Sequence, residues 1–88
     1  MKSIKLSGRE MAVMRAIDYA NGNTGEELRE RTAMDGGDLA EALNALCEVG
    51  YIEVIPTVEP VTYLNYAESR FEINPSYATQ LKDAMRRY

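Results

Sequence analysis

Histidine and tryptophan are missing from this sequence, cysteine and phenylalanine occur once each, and no apolar run approaches the length of a bilayer crossing. Each absence excludes something. Without histidine the chain lacks the commonest general base and the commonest metal ligand at neutral pH. The single cysteine, Cys47, cannot close an intrachain disulfide, which fits a reducing compartment. A membrane helix needs about 20 apolar residues, and the N-terminus shows no apolar core of a signal peptide, so the expectation is a cytoplasmic protein. There is no glycine-rich phosphate loop, because Gly36-Gly37 is short and stands between Asp35 and Asp38. Asp35, Asp38 and Glu41 lack the spacing of a calcium loop. The expectation is a chain that is not an enzyme, with no cofactor, no metal, no evident small-molecule ligand and no membrane partner.

Bases are also missing from the middle of the chain. Between Thr32 and Ser69 there are seven acids (Asp35, Asp38, Glu41, Glu48, Glu53, Glu59, Glu68) and no lysine or arginine. The ten bases all lie before or after that stretch, so the net charge of −4 conceals a strong asymmetry.

What is present suffices for one domain over residues 1–88, with 45% hydrophobic and 27% charged residues. Ser7-Gly8-Arg9-Glu10 reads as a capping box opening a helix over about 8–21, with Met11, Met14 and Ile17 at helical spacing and Asn21-Gly22-Asn23 as its stop. Thr24-Gly25-Glu26-Glu27 is a second capping box, opening a helix over about 25–32 anchored by Leu28. After a turn near Ala33-Met34, a third helix is expected over about 36–49. Its first turn carries Asp35 and Asp38, its core stripe is Leu39, Leu43 and Leu46, and Gly50 ends it. The period then changes. Residues 51–55 and 69–73 read as strands around a loop over 56–68, and Asn74-Pro75 opens a last helix over 75–87.

The run of elements, with Leu39, Leu43 and Leu46 followed by Gly50-Tyr51-Ile52, resembles the winged-helix branch of the helix-turn-helix superfamily, as in bacterial regulators. The resemblance implies an α+β fold: a three-helix core, a two-stranded β-hairpin wing and a C-terminal helix. It also implies that the third helix is the one that would enter a DNA major groove.

With the leucines turned inward, the outward stripe of that helix is Asp38, Glu41, Asn44 or Ala45, and Glu48. Phosphates are bound by Lys, Arg or backbone amides, and this stripe supplies neither base. The wing holds Tyr63, Leu64 and Tyr66 and no base before Arg70. The expectation is therefore a protein-interaction or regulatory module. Its contacts would be Asp38, Glu41, Asn44, Glu48, Tyr63, Leu64 and Tyr66, and its partner another protein or a second copy of the chain. The alternative is a DNA-binding transcription regulator touching phosphates through Lys2, Lys5, Arg9, Arg29, Arg31 and Arg70. A further alternative, prompted by the acidic middle, is a mimic of DNA. Cys47, next to the leucine stripe, reads as a structural thiol.

Overall fold

The computed structural model describes residues 4–56 and 60–86. Its elements are α1 (Gly8–Ala16), β1 (Asn23–Thr24), α2 (Gly25–Thr32), α3 (Gly36–Val49), β2 (Ile52–Ile55), β3 (Arg70–Ile73), a 3-10 turn (Pro75–Tyr77) and α4 (Ala78–Arg86). Both capping boxes are formed. The Ser7 hydroxyl accepts from the Glu10 amide while Glu10 returns to the amide of Ser7, and Thr24 and Glu27 do the same for α2. Asp35 caps α3 by accepting from the amides of Gly37 and Asp38. Gly50 ends α3 at φ 95°, a left-handed conformation that glycine adopts without strain.

The first helix stops at Ala16, five residues short of the length its spacing suggests. Ile17 is already extended, and the Asp18 carboxylate accepts from the amides of Ala20 and Asn21 to build a turn in place of a second helical half. Asn23 Oδ1 in turn accepts from the Asp18 amide at 2.7 Å. That turn delivers Asn23 and Thr24 to the edge of the sheet, where they pair antiparallel with Phe71 and Arg70. The expected two-stranded hairpin of β2 and β3 is present, and β1 joins its β3 edge, so the sheet is three-stranded in the order β1-β3-β2. Two residues are too few to show a period, and Thr24 is both strand residue and helix cap. The last helix opens with a 3-10 turn over Pro75–Tyr77, because Asn74 caps the Ser76 amide and tightens the start.

The core gathers Val13, Met14 and Ile17 of the α1 region, Leu28 of α2, Leu39, Leu43 and Leu46 of α3, Ile52, Phe71 and Ile73 of the sheet, and Leu81 of α4. α1 packs on α2, α3 and α4, so the second and third helices are held at a fixed angle on one scaffold. No helix of the described residues is long and apolar enough to cross a membrane.

Candidate macromolecule-binding surface

α3 presents its leucines to the core, with Leu39 and Leu43 fully buried and Leu46 nearly so. Its opposite side carries Asp38, Glu41 and Glu48, as the spacing requires. These carboxylates are not bare. Arg9, from the first turn of α1, reaches across to Asp38 Oδ1 at 3.5 Å and Glu41 Oε2 at 3.4 Å. One guanidinium is thus shared by two acids, in a partly exposed setting where each pair contributes about 0.2–1 kcal/mol. Thirty-two positions separate Arg9 from Glu41, so helical spacing alone could not reveal the clasp.

Asn44 is engaged as well. Its Oδ1 accepts from the Val61 amide at 2.9 Å, and its Nδ2 donates to Glu48 at 2.7 Å. The loop between β2 and β3 therefore comes back onto α3. It then crosses the N-termini of α2 and α3. The amides of Gly25 and Glu26 donate to the carbonyls of Ser69 and Ala67. A Cβ built on Gly25 would stand 1.9 Å from the Tyr66 carbonyl oxygen, and one on Gly36 would stand 2.8 Å from both the Tyr63 ring and the Tyr66 hydroxyl. Two glycines, each the first residue of its helix, make room for the loop.

That geometry divides the loop's predicted contact residues. Tyr66 is 4% exposed and belongs to the core; it is unavailable to a partner, contrary to the sequence expectation, because the Gly25 and Gly36 clearances admit it. Tyr63 is 65% exposed and Leu64 93%. The two tyrosine rings lie tilted with centroids 6.2 Å apart, so Tyr63 leans on its buried neighbour while Leu64 stands free. Residues 57–59 lie outside the described residues.

The basic candidates are scattered. Lys2 lies outside the described residues, and Lys5 is exposed. Arg29 pairs with Glu26 at 3.4 Å. Arg31 donates to the Ala16 carbonyl at 3.0 Å, at the end of α1 remote from Arg9. At a rise of about 1.5 Å per residue the two ends of α1 stand roughly 12 Å apart, so these arginines do not form one cluster. Arg70 pairs with Glu72 and donates to the Asn21 carbonyl, which fixes it at the β1 edge. Beside the C-terminal half of α3, a cleft of about 760 Å³ is lined by Cys47, Glu48, Glu53, Asn74 and Pro60 among others. Burial pushes the Cys47 thiol up to about 11, so it stays protonated at neutral pH and is a poor nucleophile. Among the described residues no group of three or more His, Cys, Asp or Glu side chains could hold a metal ion.

No protein-family model matches the chain, and no curated protein matches it. Among solved structures it is similar to the multiple antibiotic-resistance repressor (MarR) from Listeria monocytogenes 4b F2365, with a TM-score of 0.73 over 92% of this chain and 52% of that one. The chain folds as a winged helix. It spans about half the length of that repressor, and at 14% identity the likeness is one of architecture.

Within the winged helix, α2, the turn and α3 form the helix-turn-helix, and β2, the loop and β3 form the wing. This wing is unlike a projecting hairpin: its strands pair over only four residues each, and its return arm is fastened to α2 and α3. The turn between the two helices holds Ala33 at φ 58°, the left-handed region, in a position that glycine would fill without strain. Sequence reasoning missed Arg9 as the partner of the acidic stripe and Asn44 as the fastener of the wing. A signal for the folded-back wing was present in the glycines that open α2 and α3.

Proposed function

We propose that this chain is a winged-helix transcription-regulator module that binds DNA. The observation that carries this reading is the architectural likeness to a repressor across 92% of the chain, including the helix-turn-helix and the wing. Duplex contact would draw on Lys5, Arg9, Arg29, Arg31 and Arg70. Their present partners do not forbid it. The side chains of Arg9, Arg29 and Arg70 are 56%, 47% and 42% exposed, and exposed pairs of about 0.2–1 kcal/mol are readily exchanged for phosphate. With only a handful of cations, the affinity for random duplex is modest and falls with salt with a log–log slope of about −2 to −4.

A second reading has its own support. Asp38, Glu41 and Glu48 on the outer side of α3, with Tyr63 and Leu64 at the apex of the wing, suit a protein partner better than a phosphate backbone. One experiment separates the two: fluorescence anisotropy with random duplex at low and moderate salt, on the parent chain and on Arg29→Glu. The DNA reading expects saturable binding at low salt and about tenfold weaker binding in the variant, as one lost and reversed phosphate contact implies. No binding at low salt removes the DNA reading and leaves the protein reading standing.

A further inference from the structure

A second concave surface lies between α1 and α4, away from the acidic stripe. Met14, Tyr19 and Met85 form its floor, and Arg15, Lys82 and Arg86 its rim, around a groove of about 320 Å³. The three cations are exposed. Lys82 Nζ stands 5.6 Å from the centre of the Tyr19 ring, and Arg86 makes a loose pair with Asp83 at 3.6 Å. Among the described residues the Tyr19 hydroxyl is shielded from solvent and has no hydrogen-bond partner. Met85, half-buried on the floor, has a flexible side chain that adapts to the shape of what enters.

An occupant of this groove should carry an apolar knob and neighbouring carboxylates. The chain itself presents such a segment. Leu64 and Tyr63 stand out from the wing, Asp35 is exposed beside the Gly36 that supports the Tyr63 ring, and Glu68 is exposed in the same loop. The charge asymmetry of the sequence points the same way, since every acid of the stretch 32–69 belongs to the α3–wing half and the groove's cations come from outside it. The knob and the groove share no residue, so one molecule can use both at once.

We propose that the wing apex of one copy docks in the α1–α4 groove of another, giving a head-to-tail association. Such a contact is heterologous and propagates into rings or open chains, in contrast to a two-fold dimer that pairs one patch with itself. It does not depend on DNA binding.

The test uses the chain and two surface variants, Leu64→Glu at the knob and Arg15→Glu/Lys82→Glu at the rim, each checked for native far-UV circular dichroism. In sedimentation velocity the parent chain should associate with rising concentration, and the association should weaken on the order of tenfold between about 0.05 M and about 0.5 M salt, where exposed pairs are screened. Each variant alone should be monomeric. Mixed together they should form a one-to-one dimer, because the Leu64→Glu copy keeps its groove and the rim variant keeps its knob. A parent chain that stays monomeric up to millimolar concentration overturns the proposal. So does association that survives Leu64→Glu, which would mean that the copies meet through another surface.

Discussion

Leu64 and Tyr66 stand two positions apart in one loop, yet the first is among the most exposed side chains and the second lies in the core. Both are large and apolar, and both belong to a stretch without a base. What separates them is the backbone beneath. Tyr66 sits where two helices begin with glycine, and its carbonyl approaches Gly25 more closely than any Cβ would permit. Leu64 sits in the turn that Thr62 closes, its amide donating to the Thr62 hydroxyl and its side chain facing solvent. The wing is therefore two devices in series, a base that completes the core and an apex that faces outward.

The largest effect should come from exchanging the two positions' burdens. Tyr66→Ala removes a buried aromatic and should cost about 3–5 kcal/mol, whereas Leu64→Ala should stay within about 0.5 kcal/mol, both read from urea unfolding. Equal losses would erase the distinction between base and apex. Gly25→Ala attacks the base from the other side. Its methyl meets backbone that cannot give way, so a loss of about 3 kcal/mol is expected, or a melting temperature lower by some 12 °C or more. A loss under about 1 kcal/mol would mean that the loop lifts off α2 at little cost.

Smaller changes sharpen the contrast without touching the wing. Ala33→Gly relaxes the left-handed turn between α2 and α3 and should add about 0.5–1 kcal/mol of stability, with Tyr66 still protected. The last effect concerns acid. The amides of Ala20 and Asn21 hold the Asp18 carboxyl below its ordinary 3.8, and the Thr24 amide followed by the Asn23 side chain holds Glu27 below its ordinary 4.5. A carboxyl whose folded value lies below its unfolded one stabilises fully above the unfolded value and loses that stabilisation as the pH falls through the folded one. Stability should therefore be flat from neutral pH down to about 5 and decline below about 4.5, with the lower part of the decline shallower in Asp18→Asn.

Much of the architecture could be read in advance because it rests on short-range chemistry. The capping boxes at Ser7 and Thr24, the Asp35 cap, the Gly50 stop and the Leu39–Leu43–Leu46 stripe all depend on residues within one or two helical turns. The features that spacing missed are those where distant segments decide. β1 exists because β3 is there to receive it. α1 ends early because Asp18 finds three partners in its own turn and in Asn23. The acidic stripe was legible as a face, but its partial neutralisation by Arg9 was not, since that contact depends on how α1 crosses α3. The exposure of Leu64 and the burial of Tyr66 were equally beyond a reading by residue type.

The Asn44 amide has a consequence for selectivity. Reading an adenine edge takes both ends of a side-chain amide at once. Here one end receives the Val61 N–H and the other serves Glu48, so the best-suited reader on α3 is already a fastener. Turning it toward a base would strand the N–H of a residue only 4% exposed, at about 1–3 kcal/mol. On the proposed DNA-binding reading, discrimination among sequences by this helix would begin with a handicap of roughly ten- to a hundredfold at that position, unless the loop let go first.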